Sequence, residues 1–175
     1  VLVVMTAQGC ATGPAKQTVT PTAVISAQGA VPEARLLDVA IHIFATPEAG
    51  AEAKDAGVSN ADVRAAEVRF IPFHLKQTLQ RTGHWGAVRV VPDRAEEVDV
   101  SVTGKLLESN GETLRVQIKV ADVTGRVWFD IEYVAEATQQ SYASLKERDY
   151  DPYQDLYNRV ANDMLEYLQQ RSPAE

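Results

Sequence analysis

The chain has a single cysteine, Cys10, and this scarcity limits what it can be. One thiol cannot form an internal disulfide, so a disulfide-stapled scaffold is excluded. The sequence also lacks the Cys-x-x-Cys and His-x-x-x-His spacings of zinc sites, the Gly-x-Ser-x-Gly of serine hydrolases, and a glycine-rich phosphate loop. We therefore predict no catalytic residue, no metal site and no cofactor.

Positive charge is also scarce, because 17 Lys and Arg stand against 24 Asp and Glu, which gives a net charge of -7. Nucleic-acid binding is not expected, since phosphates attract clustered Lys and Arg. No apolar run reaches the roughly 18 residues that a membrane-spanning helix needs. The 45% of apolar residues is enough for one folded core.

The first residues are apolar and lead directly to the cysteine, in the stretch VLVVMTAQGC. This pattern resembles the end of a bacterial lipoprotein signal peptide, in which a small residue such as Gly9 precedes the lipid-bearing cysteine. The resemblance implies that residues 1–9 are a signal-peptide remnant and that Cys10 is a lipid anchor. Ala11 after the cysteine would favour the outer membrane. Cleavage elsewhere with loss of Cys10, or a free exposed thiol, stays open.

Residues 10–35 are rich in Ala, Thr, Gly, Pro and Gln, carry little charge and show no period. Such a stretch cannot bury enough apolar surface to offset its ordering entropy, so we predict a flexible, lipid-anchored linker. The alternative is a disordered N-terminus without a task. A single αβ domain is expected over residues 36–171, followed by a disordered tail at 172–175.

The domain is predicted to begin with LLDVAIHIFA, residues 36–45, an apolar run typical of a strand buried on both faces. A capping-box spacing at residues 59–62 starts a helix that ends at Gly83. Pro72 is expected to kink this helix or to mark a restart. Residues 85–93 form the second strand.

Residues 98–137 alternate apolar and polar side chains three times over, with turns at Asn110-Gly111 and Thr124-Gly125. A last helix follows Asp151-Pro152 with an apolar stripe, and its opposite, polar side includes Gln154 and Asn158, and further polar residues at 162, 163 and 166. The pattern predicts an α+β fold: a two-layer αβ sandwich with a mainly antiparallel sheet of about five strands and helices on one face.

Several positions resemble a group of bacterial envelope domains: the amino-terminal part of TolB, the curli secretion lipoprotein CsgG and the penicillin-binding-protein activator LpoB. The matching residues are Phe44, Leu79, Thr82, Gly83, Val91, Pro92, Asp122, Thr124 and Gly125. The resemblance covers about residues 36–170 as a pattern. It implies a periplasm-facing, non-enzymatic protein that binds other envelope proteins, with a homo-oligomer as an open option.

The polar face of the sheet is the predicted partner surface. Strict alternation places Trp128 there beside Asp130, and Arg115, Gln117 and Lys119 occupy the neighbouring strand. An exposed Trp among polar residues is a common interface anchor. Two other interpretations of Trp128 stay open: a flank covered by residues 139–150, or a local bulge.

The three histidines and one acidic segment supply the remaining candidates. His42 lies in an apolar strand and is predicted to be a hydrogen-bonded structural residue. The acidic segment 147–155 contains Glu147, Asp149, Asp151 and Asp155, and calcium binding there is the less favoured interpretation because Asp151 fits a helix cap.

The function expected from the sequence is a lipid-anchored outer-membrane protein that faces the periplasm and binds or helps assemble another envelope component. That component would be a secretion channel, a surface appendage or the peptidoglycan machinery. The alternative is a periplasmic small-ligand-binding protein or hydrolase with a cleft near His42 or His74.

Overall fold

The chain runs through six strands and two helices in the computed structural model, which describes residues 13–46, 61–92, 98–137 and 151–171. The elements are β1 (Ala15–Thr18), β2 (Val39–His42), α1 (Ala61–Thr82), β3 (Val88–Val91), β4 (Val100–Ser109), β5 (Thr113–Asp122), β6 (Val127–Glu136) and α2 (Gln154–Arg171). Among these residues neither helix has the length and hydropathy needed to cross a membrane. The predicted signal remnant 1–9, Cys10, Glu147, Asp149 and the tail 172–175 lie outside the described residues.

The strands form one sheet in the order β1-β6-β5-β4-β2-β3, and the helices contact β2, β3, β4 and β6. The α+β class is confirmed. The prediction of a mainly antiparallel sheet of about five strands is wrong, because the sheet is mixed and has six strands. β1/β6, β2/β3 and β2/β4 are parallel pairs, and only β4/β5 and β5/β6 are antiparallel. The long connection through α1 allows β2 and β3 to run in the same direction, which a tight hairpin cannot do.

β2 has parallel neighbours on both sides, and Val39, Ala40 and Ile41 are all buried. This burial explains why the strand is an apolar run without alternation. α1 continues through Pro72 as one helix, so the helix does not restart there, and the kink stays a prediction. Pro72 has no N–H to donate to the carbonyl of Val68, and the backbone N–H of Phe44 bonds that carbonyl instead at 3.0 Å.

The three hairpin strands β4, β5 and β6 follow the predicted alternation. Gly111 and Gly125 at the two turns have φ of 86° and 80°, which confirms the predicted turns. Leu114, Val116, Ile118 and Val120 of β5 are buried on the helix side. Two irregularities interrupt the register. One lies between Leu106 and Glu108 in the β4/β5 pair, and the other lies between Val120 and Ala121 in the β5/β6 pair.

The core lies between the sheet and the two helices. α1 contributes Ile71, Leu75 and Leu79, and α2 contributes its predicted stripe, in which Leu156, Tyr157, Val160 and Met164 are buried. The polar side of α2 departs from the prediction, because Gln154 and Asn158 are only 6% exposed. Those two side chains lie beneath an N-terminal segment that the sequence assigned to a linker.

That segment, residues 15–27, is called the strap below. β1 pairs in parallel with β6, from Ala15 opposite Ile131 to Thr18 opposite Val134. The backbone N–H of Ala27 bonds the carbonyl of Thr82 at the end of α1 at 2.8 Å. The prediction of a flexible linker over 10–35 is therefore wrong for the strap, and the folded unit begins at β1 rather than at residue 36. The strap is ordered by hydrogen bonds of its backbone. Such bonds do not require a periodic pattern of apolar side chains in the sequence.

Candidate functional site

The strand side chains that point away from both helices form a surface that we call the open face. It includes four of the five predicted partner residues, Arg115, Gln117, Lys119 and Asp130. The register places Gln117 opposite Glu132, and Lys119 opposite both Asp130 and Thr103. The alternation of β5 thus placed these residues correctly, and the structure brings them together.

One half of the open face, on β1, β5 and β6, is an ion-pair network centred on Arg115. Its guanidinium lies 3.0 Å from a carboxylate oxygen of Glu132 and 3.1 Å from one of Glu108. Hydrogen bonds with Glu108, then with Glu132, raise the pKa of Arg115 above its ordinary value. Lys16 lies 3.6 Å from Glu132, so both Arg115 and Lys16 have carboxylate partners within the chain.

The other half of the open face, toward β4, β2 and β3, is cationic. Arg89, Lys105 and Lys119 have no carboxylate within 4.0 Å among the residues that the structure describes. His42 lies on the same side, where its Nε2 is 3.0 Å from Ser101 Oγ, so the predicted structural hydrogen bond of His42 is confirmed. Unpaired Lys and Arg side chains on a chain of net charge -7 suit a surface that meets carboxylates or other anions.

Trp128 does not belong to the open face, and the prediction that it is exposed there is wrong. It is the extra residue of a β-bulge, since Phe129 pairs with Val120 while Val127 pairs with Ala121. A bulge breaks the alternation of side chains and redirects the residue that carries it. The Trp128 ring is 7% exposed and stacks on Tyr167 of α2 with centroids 5.2 Å apart. Of the three interpretations, the local bulge is the one observed.

The turn sequence Asp122-Val123-Thr124-Gly125 joins the sheet to α2. The Asp122 carboxylate accepts from the Thr124 hydroxyl and N–H, from Trp128 Nε1 at 3.3 Å and from Arg171 at 2.7 Å. These donors, the Thr124 hydroxyl first, hold the pKa of Asp122 well below its ordinary value. The motif that contributes to the family resemblance therefore has a structural role in this chain.

His74 comes nearest to the alternative, a small-ligand or hydrolase site. It is stacked on Tyr157 with centroids 5.6 Å apart, and its Nε2 lies 3.9 Å from a carboxylate oxygen of Asp151. Burial lowers the pKa of His74, and Asp151 partly opposes that shift. Burial in turn raises the pKa of Asp151. Asp151 accepts the N–H of Tyr153 at 2.8 Å, so it caps α2 as predicted.

The acidic segment offers little to a cation in the described part of the chain. Asp155 accepts the backbone N–H of Thr22 at 2.9 Å, and Asp151 is the α2 cap. Within the described residues no group of three or more His, Cys, Asp or Glu side chains is arranged to hold a metal ion.

A shallow cleft of about 240 Å³ lies between β1, β6 and the outer side of α2. Phe129 and Ile131 form its floor, and Arg159, Asp163 and Tyr167 lie on its wall. Asp163 is already engaged, because it accepts the Tyr133 hydroxyl at 2.8 Å and pairs with Arg159 at 2.9 Å. No histidine borders this cleft, so it does not provide the site of the alternative function.

Sequence reasoning missed a set of α2 side chains that bind the backbone of the strap. Asp155, Asn158 and Asn162, which we call the strap site, lie along one side of the helix and bond Thr22, Ala23 and Ile25. A usable signal was present: this side of α2 carries amides and a carboxylate at spacings of three and four, where solvated helices usually carry Lys and Glu.

Comparison with known proteins leaves the family of the chain open. No family model matches the sequence. No curated protein matches it either. The solved structures to which the chain is similar include the protein XCC0632 from Xanthomonas campestris, labelled DUF330, and a PelC dodecamer from Paraburkholderia phytofirmans. The Xanthomonas protein is 10% identical to this chain with a TM-score of 0.49, and the match covers 91% of this chain and 99% of the Xanthomonas chain. PelC is 17% identical to this chain with a TM-score of 0.47, and the match covers 87% of this chain and 96% of the PelC chain.

Proposed function

We propose that this chain is a binding protein of the bacterial envelope, anchored by lipid at Cys10 to the periplasmic side of the outer membrane. It binds or helps assemble another envelope component, namely a secretion channel, a surface appendage or the peptidoglycan machinery, and it performs no catalysis. The observation that carries the proposal is the open face, a polar surface with no helix of the described chain packed on it. The pattern-level resemblance to TolB, CsgG and LpoB domains supports the same role.

The charge of the open face favours a partner with an acidic surface. Arg89, Lys105 and Lys119 supply three cations in one half, while in the other half Arg115 is already paired with Glu108 and Glu132. Charges of this kind orient two proteins as they meet and select against partners of the same sign. Each exposed ion pair with a partner would contribute only about 0.2–1 kcal/mol to affinity. The selectivity therefore comes from the three cations acting together.

The strap limits the reach of an anchor at Cys10. The described chain begins at Gly13, three positions after the cysteine, and at about 3.4 Å per residue this distance spans at most about 10 Å. A docked strap therefore keeps the domain near the lipid surface. A partner would meet the open face close to the membrane.

The partner surface can be tested by photo-cross-linking in intact cells. A photoreactive residue at Lys119 should capture a distinct envelope protein, and Arg89→Glu should reduce that capture because it reverses one charge of the cationic half. The matched control places the same probe at Lys76, on α1 and away from the open face. Equal capture from both positions, or capture indifferent to Arg89→Glu, would show that the open face is not the partner surface.

Lipidation is a separate test. A fatty-acid probe should label the wild-type protein in cells and should leave Cys10→Ala unlabelled. Absence of label on the wild type would remove the anchor from the proposal, while the proposed partner surface would still stand on its own evidence.

The second candidate is the small-ligand-binding protein or hydrolase, which the approach of His74 to Asp151 favours. Both groups already have tasks, since His74 stacks on Tyr157 and Asp151 caps α2. A ligand that shifts the imidazole resonances of His74 at micromolar concentration would support this candidate over the first.

A further inference from the structure

The strap is held by its backbone. Asp155 accepts from the N–H of Thr22 at 2.9 Å, and Asn158 donates to the Thr22 carbonyl at 2.8 Å. Asn162 bonds two positions at once, donating to the Ala23 carbonyl and accepting from the N–H of Ile25, both at 2.9 Å. A site that bonds N–H and C=O groups recognises an extended chain and depends little on its side chains.

The side chains of the strap contribute two small anchors. Val19 and Val24 pack against the core as partly buried residues, whereas Ile25 is 54% exposed. At the β1 end, the Gln17 amide lies 2.6 and 2.8 Å from two nitrogens of the Arg159 guanidinium, where its oxygen can accept from both once the amide is turned toward them. The strap is therefore bound as a peptide would be, through its backbone and two apolar contacts.

The spacing of the strap site matches an extended chain. Asp155 and Asn162 are seven residues apart on a helix, which at about 1.5 Å per residue is about 10.5 Å. Their partners Thr22 and Ile25 are three residues apart, which at about 3.3 Å per residue is about 10 Å. The strap thus runs alongside α2 in the same direction, with each contact in register.

The strap site is also held in place from below. The Gln154 amide donates to Asn158 Oδ1 at 2.9 Å and approaches the Thr78 hydroxyl at 2.8 Å, and Gln154, Asn158 and Thr78 are all buried. A buried, hydrogen-bonded side chain keeps one rotamer, so little entropy is lost when a peptide binds. Asn158 is therefore positioned by Gln154 as well as by the strap.

The connection between the strap and the rest of the domain is exposed. Gln28, Gly29 and Ala30 are exposed, and a Cβ on Gly29 would meet no atom within 4 Å. The five residues 28–32 separate the strap from the short helical turn Glu33–Arg35 and span up to about 17 Å when extended. The strap can therefore leave its site without disturbing β2.

We propose that the strap is exchanged between copies, so that residues 15–27 of one copy occupy the strap site and the β6 edge of a second copy. Site and ligand are identical in every copy, and exchange retains each hydrogen bond named above. The balance between the closed monomer and the exchanged assembly is then set by protein concentration. The proposal is independent of the lipid anchor and of the partner at the open face.

Energy transfer between two singly labelled populations of the full chain tests the exchange. In a Cys10→Ala background, one population carries a donor dye at Thr20→Cys on the strap, and the other an acceptor at Gln169→Cys on α2. Both positions are exposed. After mixing and equilibration, transfer should appear and grow with protein concentration. Its absence up to about millimolar concentration, the effective concentration of a short linker, would overturn the proposal.

Variants separate exchange from other association. Ile25→Pro removes the N–H from which Asn162 accepts, and Asn162→Ala removes both of its bonds. The closed and the exchanged forms lose the same bonds, so their equilibrium should hardly change, whereas the strap should open more readily and transfer after mixing should appear at least about fivefold faster. Ile25→Ala keeps the backbone and is the matched control, with a near-unchanged rate. Transfer that appears at the wild-type rate in Ile25→Pro and Asn162→Ala but is lost in Lys119→Glu would overturn the proposal and place the contact on the open face.

Discussion

The hairpin strands β4–β6 and the strap belong to the same sheet, yet different information specifies them. In β4–β6 each strand pairs with a strand adjacent in sequence, and Leu114, Val116 and Ile118 supply an apolar face at period two. The strap pairs with β6, 116 positions away, and with side chains of α2 that are more than 130 positions away. The first region is specified by its own sequence, whereas the second is specified mainly by residues elsewhere that bind its backbone.

The largest effect is expected in the hairpin region, at the bulge. Trp128→Ala removes a ring packed against Tyr167 and Trp85 and should lower the free energy of unfolding by about 3–5 kcal/mol. Denaturant unfolding measures this value. Val127→Ala is the matched control, because Val127 is adjacent and 41% exposed, and it should change stability by less than about 0.5 kcal/mol. Equal losses from both would contradict the redirected Trp128.

The next effect concerns the strap. Asn158→Ala leaves the Thr22 carbonyl without its donor and the buried Gln154 amide without one acceptor, and it should lower the free energy of unfolding by about 1–3 kcal/mol. Hydrogen exchange should accelerate at the strap amides while the β5 amides stay protected. Gln170→Ala, at an exposed position of the same helix, should change neither quantity. Uniform acceleration across the sheet would mean that strap and hairpins open together.

A smaller difference in stability is expected between glycine substitutions in the two regions. Gly125→Ala forces a side chain into a φ of 80° with no atom close enough to clash, so the loss is conformational and about 1–2 kcal/mol. Gly29→Ala, just after the strap, meets neither a positive φ nor a neighbouring atom and should be neutral or stabilising by less than about 1 kcal/mol. Thermal or denaturant unfolding of both variants gives the comparison. Similar losses would remove the difference between the regions.

The smallest expected effect is the pH dependence from Asp122, at the β5–β6 turn. Its pKa is depressed in the folded protein, so its carboxylate contributes stability above about pH 4 that is lost as the pH falls through the folded value. Between about pH 5 and pH 2.5, the wild type should therefore lose more stability than Asp122→Asn. Glu166→Gln, exposed on α2, should follow the wild type. Parallel curves for wild type and Asp122→Asn would assign the acid sensitivity to other groups.

Much of the fold could be predicted because local patterns carry it. The α+β class, the two turns and the start of α2 after Asp151 all follow from periodicity, turn glycines and a cap. The direction of β2 and β3 could not be obtained in this way, because parallel pairing depends on the path of the chain through α1. The candidate site was predicted in part: four of its five residues lie on the open face, and Trp128 does not.

The sequence by itself determined the elements that local side-chain patterns specify, namely the alternating strands and the amphipathic helix α2. It also determined the acidic net charge of the chain. Only the tertiary structure decided which backbone groups are bound by side chains that are distant in sequence. Trp128 turned inward because a bulge shifted the alternation by one residue, and residues 15–27 became a strap because Asp155, Asn158 and Asn162 offer bonds to their N–H and C=O groups. Every residue except proline has both backbone groups, so no pattern of side chains within the strap could reveal that they would be bound.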